Sequence, residues 1–140
     1  MTRREQCVWV GVAVAALPIA MLIVPLGYRV DVHAPAVQLP LLALLAIAEE
    51  IVFRGGLQTL LARQRWLRFG VASLSGANLV TSAVFGAAHL LAHSPLQSVS
   101  VIPVSLLLGV AYERSGGLRL PAALHVAFNL ALYLANVVAR

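Results

Sequence analysis

Lysine does not occur in this chain, and acidic residues are scarce: five Asp and Glu stand against ten Arg in 140 residues. Charged side chains make up 11% of the sequence, where a soluble domain carries about 25%. So few charges cannot cover a water-facing surface. The single cysteine, Cys7, excludes an intrachain disulfide, a CxxC motif and a Cys/His zinc site. Cys7 reads as one more apolar helix residue. There is no internal repeat and no low-complexity tract. What fills the chain is hydrocarbon: 61% of residues are hydrophobic and the mean hydropathy is +0.91. A lipid bilayer is the solvent that suits such a composition.

The net charge is +5 and the pI about 10.7. In a soluble protein that balance would point to nucleic acid. Here the arginines sit in short stretches between apolar runs, so they report orientation in a membrane instead. Five apolar segments can be drawn, over residues 7–27, 36–53, 71–93, 96–112 and 120–139. Each approaches the roughly 20 residues that carry a helix across about 30 Å of hydrocarbon. The expected fold class is all-α, a polytopic transmembrane bundle of about five helices. The chain reads as a single domain, 1–140, with residues 1–30 as a retained N-terminal anchor and 36–139 as the helices that carry the chemistry.

Arg3, Arg4, Arg54, Arg63, Arg65, Arg68, Arg114 and Arg119 fall on one side if every segment spans. Only Arg29 and Arg140 fall on the other. The positive-inside rule then places the N-terminus in the cytoplasm and the C-terminus outside. An Arg- and Ala-rich chain without Lys suggests a GC-rich bacterial genome. The stretch GLQTLLARQRWLRFG is basic and partly amphipathic, and is expected along the cytoplasmic interface with Trp66 as an anchor. Gly55 and Gly56 are expected to end or bend the second helix. Gly116 and Gly117 form a turn before the fifth.

Several polar residues sit inside these apolar runs. A carboxylate at mid-bilayer costs roughly 2.5–3.5 kcal/mol even on the lenient insertion scale, and Glu49 and Glu50 are adjacent. Arg54 lies four residues after Glu50 and can pair with it on one helix face, or bind a substrate carboxylate. Glu49 is rotated about 100° from Glu50 and has no local cation in the sequence, which makes it the better candidate for a general base. Phe85 and His89 share a face at i,i+4, as do His125 and Asn129. The histidines lie on different helices from the glutamates, as a site between helices requires. Glu49 comes out roughly 10 Å from the inner face, and His125 and Asn129 roughly 9 and 15 Å. His89 matches that depth only if its helix begins near Gly76 rather than at 71. Peptide hydrolysis needs an activated water and donors for the oxyanion. Glu49 with His89 can hold and deprotonate water, while His125 and Asn129 can donate to the oxyanion. Asn78, Ser75, Ser82 and Ser105 read as interhelical hydrogen-bonding or close-packing residues. His33 and His93 are expected near loop ends, and Asn136 has no motif partner.

Three motifs occur in order: EExxxR in AEEIVFRGGLQ, FxxxH in VFGAAHL, and HxxxN in LHVAFNL. Together they resemble the CAAX-protease and bacteriocin-processing family of intramembrane proteases, also called CPBP or Abi. The resemblance covers about residues 40–135. It implies a glutamate-dependent endopeptidase. In it Glu49 is the base, His89 helps to bind the water, and His125 and Asn129 form the oxyanion hole. Glu50, Arg54 and Phe85 take supporting or substrate-binding places. The family was long described as metal-dependent, so zinc on Glu and His ligands is the lesser expectation and no cofactor the favoured one. The implied partners are a membrane-associated protein or peptide substrate and the bilayer, with no nucleic acid. C-terminal processing of sorted or lipid-anchored proteins fits small members. A non-catalytic scaffold or bacteriocin self-immunity protein of the same fold is the alternative. A proton carrier or a bis-histidine haem protein on His89 and His125 explains fewer of the residues.

Overall fold

The computed structural model describes residues 2–23, 35–67, 69–71 and 74–139. Arg29, His33, Arg68 and Arg140, which entered the sequence reading, lie outside the described residues. The elements run α1 (Arg3–Ile23), α2 (Pro35–Glu50), a π-helical segment (Ile51–Gln58), a one-turn α3 (Thr59–Ala62), a 3-10 turn (Arg65–Leu67), strands β1 (Gly70–Val71) and β2 (Leu74–Ser75), α4 (Gly76–His89), α5 (Pro95–Ser115) and α6 (Arg119–Val138). The protein is an all-α membrane helix bundle, with five long helices among the described residues. Two of them, α5 and α6, are long and apolar enough by themselves to cross a membrane.

Two departures from the sequence reading matter. The second helix does not stop at Gly55 and Gly56. It continues through both as a π-helix to Gln58 and then re-forms α-helix at Thr59. The third long helix starts at Gly76, not at 71. A two-residue antiparallel ladder, Gly70 opposite Ser75 and Val71 opposite Leu74, occupies the preceding chain. Ser75 then caps α4 by accepting from the Asn78 amide at 3.0 Å.

Residues Ala48–Pro121 form one compact unit, and Met1–Ile47 with Ala122–Arg140 form the other. In the first, α4 packs along α5, and the π-helical segment lies against both. Small residues permit that approach. A Cβ on Gly86 would stand 2.6 Å from Ile102 Cγ1 and 3.1 Å from the Ser98 carbonyl. A Cβ on Gly109 would overlap the Asn78 side chain. Helix α5 begins at a capping box: Ser94 accepts from the Gln97 amide, Gln97 reaches back to the Ser94 amide, and Pro95 takes the first turn. It ends at Gly116, whose φ of 69° is left-handed and suits glycine.

The interior of this unit is unusually polar. Glu50, Arg54, Gln58, Asn78, Thr81, Ser82, Ser98 and Ser105 are buried. Ile51, Val52, Val84, Leu96 and Val99 face outward instead. Polar atoms inside and bare hydrocarbon outside invert the pattern of a soluble domain, and lipid is the surrounding that rewards it.

In the other unit, α6 buries Leu124, His125, Ala131, Leu132, Tyr133, Ala135 and Asn136. Asn129 ties α6 to α2 by donating to the Leu42 carbonyl at 3.4 Å.

Candidate active site

The end of α2 delivers both glutamates. One residue of helix turns the side chain by about 100°, so the two carboxylates receive different surroundings. Glu50 is fully buried, while Glu49 is half-buried. Arg54 follows Glu50 by four residues, and its Nε lies 3.2 Å from Glu50 Oε2, with both side chains inaccessible to solvent. Both glutamates act electrostatically on the guanidinium, Glu50 the more strongly.

The far side of Arg54 is held by α5. Its Nη2 donates to the Ser105 carbonyl at 3.1 Å and to Ser105 Oγ at 3.0 Å. The contacts continue into α4: Ser105 Oγ donates to Ser82 Oγ at 3.0 Å, and Ser82 Oγ to Asn78 Oδ1 at 3.2 Å. Asn78 Nδ2 returns to α5 by donating to the Leu106 carbonyl at 2.9 Å. A buried charge is costly unless it is paired and hydrogen-bonded; Arg54 has its ion pair and the two bonds from Nη2, while Nη1 has no hydrogen-bond partner among the described residues. One turn along the π-segment, Gln58 Nε2 donates to Glu113 Oε1 at 2.8 Å and to the Gly109 carbonyl at 3.3 Å. Glu113 Oε1 also accepts from Ser75 Oγ at 2.5 Å. Thr59 Oγ1 donates to the Arg54 carbonyl at 2.8 Å and lies 2.8 Å from the Tyr112 hydroxyl.

Phe85 joins the ion pair to the first histidine. The Arg54 guanidinium carbon stands 5.6 Å from the Phe85 ring centre, a cation–π distance. Phe53 meets the same ring edge-on at 4.9 Å. The His89 ring is 4.4 Å from Phe85, and His89 Nδ1 is 2.9 Å from the Phe85 carbonyl oxygen. A carbonyl can only accept, so Nδ1 carries the proton in that bond. The neutral ring then keeps its lone pair on Nε2. His93 stacks on His89 with ring centres 5.5 Å apart.

Of the residues singled out in the sequence, Glu50, Arg54, Phe85 and His89 therefore form one contiguous chain of contacts. Glu49 belongs to the same unit. His125 and Asn129 belong to the other unit, on one face of α6, with His125 buried and Asn129 half-buried. The Asn129 amide has two N–H donors, of which the Leu42 carbonyl takes one. Sequence reasoning misses Gln58 and Glu113 as candidate site residues. Gln58 had a signal, since it repeats the four-residue step from Glu50 to Arg54. Glu113 had none. Within either unit no three His, Cys, Asp or Glu side chains among the described residues lie close enough together to hold a metal ion.

A buried ion pair inside an inverted, lipid-suited helix bundle defines a membrane protein built around intramembrane polar chemistry. The chain belongs to the Type II CAAX prenyl endopeptidase Rce1-like family, whose model matches residues 31–131. Membership makes it a CAAX-protease-type membrane enzyme at the level of the family. No curated protein and no solved structure matches the chain.

Proposed function

We propose that this protein is a glutamate-dependent intramembrane endopeptidase acting as one domain over 1–140. The reading rests on the contact chain Glu50–Arg54–Phe85–His89, which commits His89 Nδ1 to a carbonyl and leaves Nε2 to accept from water. Glu50 is paired with Arg54 at 3.2 Å, and the resemblance of the EExxxR motif makes Glu49 the base. Glu49 takes a proton from a water held by His89 Nε2, and the water oxygen attacks the scissile carbonyl carbon. His125 and Asn129 donate to the oxygen as it gains negative charge. Collapse breaks the C–N bond, and the proton on Glu49 passes to the leaving amine. Water is thus divided across the peptide bond and Glu49 is regenerated. The mechanism uses no metal.

The substrate is a membrane-associated protein or peptide, and C-terminal processing of sorted or lipid-anchored proteins is the reaction favoured. The chain crosses a bacterial cell membrane several times, with its N-terminus in the cytoplasm.

Reconstitution with a CAAX-type or sorted-protein substrate tests the reading. Glu49→Gln and His89→Ala are each expected to lower turnover by about 10²–10⁴-fold while membrane insertion and yield stay unchanged. Unaltered cleavage by both well-folded variants would overturn the roles of Glu49 and His89, whereas complementation of a deletion strain by both variants without cleavage would leave the scaffold alternative standing.

A further inference from the structure

The connection between the π-helical segment and α4 carries a surface that the catalytic reading does not use. From Thr59 to Val71 the sequence holds Arg63, Arg65 and Arg68 and no acidic residue. Arg63 and Arg65 are exposed, and among the described residues neither takes part in an ion pair. Beside them stand large apolar side chains turned to the outside: Leu60 is 57% exposed, Trp66 67% and Phe69 53%. A free loop would be expected to fold such rings inward. This one does not, because it is pinned from beneath. Leu67, between the two aromatics, is 3% exposed. The Leu67 amide closes the 3-10 turn on the Gln64 carbonyl at 3.2 Å, and the Gly76 amide donates to the Phe69 carbonyl at 2.8 Å. The short ladder from Gly70 to Ser75 completes the tether. Leu67 acts as a plug, and its neighbours are held outward as a set.

We infer that this surface is an anchor for anionic phospholipid headgroups. Trp and Phe prefer the boundary between hydrocarbon and headgroup, where the ring sits in an apolar layer. The guanidiniums beside them lie level with the phosphates, which they can grip through paired N–H donors. A membrane of net negative charge supplies the acidic partners that the protein withholds. Zwitterionic headgroups would leave those cations balanced less well, and a soluble protein partner would require the rings to be wet before it arrived. Because α3 continues directly from the π-helical segment, an anchor here also fixes the depth at which Arg54 sits in the bilayer.

The test needs no substrate and so does not depend on the protease reading. Trp9 and Trp66 are the two tryptophans, so a Trp9→Phe background reports on Trp66 alone. In vesicles of phosphatidylcholine with phosphatidylglycerol, Trp66 emission is expected to be quenched by lipids brominated near the carbonyls, and far less by lipids brominated at the chain ends or by aqueous iodide. Spin-labelled phosphatidylglycerol should be favoured over spin-labelled phosphatidylcholine at the protein boundary. Arg63→Gln and Arg65→Gln should each reduce that preference about fivefold. Trp66 open to iodide in the vesicle would overturn the proposal and favour a partner from the aqueous side. Equal selection of the two lipids, or a preference that both substitutions leave intact, would overturn it as well.

Discussion

Arg54 is a side chain on which contacts from three elements converge. It meets Glu50 on its own helix, Ser105 on α5 and the ring of Phe85 on α4. Removing one member of a buried pair strands the other, which costs about 3–5 kcal/mol, whereas replacing both with apolar groups is often neutral. Arg54→Met should therefore be strongly destabilising, and Glu50→Leu on that background should restore most of the loss. Unfolding of the four proteins of this cycle in detergent measures it; additive losses would show that the pair is not coupled. Ser105 presents a gentler case. Ser105→Ala removes an acceptor from Arg54 and the donor to Ser82, an expected loss of about 1–3 kcal/mol. Ser105→Thr keeps the hydroxyl and should lose much less.

Helix α4 and the π-segment depend on how closely α5 can approach. Gly109 leaves the space that the Asn78 amide fills, so Gly109→Ala forces helices or side chains apart. The expected cost is about 1–3 kcal/mol, with Asn78→Ala partly relieving it in the double variant. Gly11 on α1 has nothing within 4 Å of an added Cβ. Gly11→Ala should be neutral or slightly stabilising, and the two unfolding curves make the comparison direct. The π-helical winding belongs here too. Such winding is rare and gathers at functional sites. In this chain it carries both Arg54 and Gln58 to α5, where Ser105 and Gly109 stand one turn apart.

Across the whole protein, the arginine distribution gives a topology that reporter fusions can check. A cytoplasmic reporter should be active on the N-terminus, and a periplasmic or extracellular one on the C-terminus. A metal-free mechanism further requires that turnover survive thorough chelation; loss on chelation with recovery on added zinc would contradict it. His125→Ala and Asn129→Ala should each slow the chemical step by about 10²–10³-fold with little change in substrate affinity. A rise in KM alone would move both residues from the oxyanion to substrate binding.

Much of this was legible in one dimension. Scarce charge and long apolar runs fix the solvent, because no fold can hide so much hydrocarbon from water. The i,i+4 spacings of Glu50 with Arg54 and Phe85 with His89 fix which side chains share a face, because helical periodicity is local. Three ordered motifs were enough to suggest the family that the match over 31–131 establishes. Other features belong to pairs of elements distant in sequence. That Arg54 is gripped by Ser105, 51 residues on, depends on which face of α5 turns inward, and α5 has no polar stripe that announces it. The π-helix through Gly55 and Gly56 reads as a helix end until contacts with α5 hold it wound. The start of α4 at Gly76 is set by the Ser75 cap and the short ladder before it, where hydropathy alone sees one continuous run. Local chemistry chose the residues and their faces; packing between helices chose their partners.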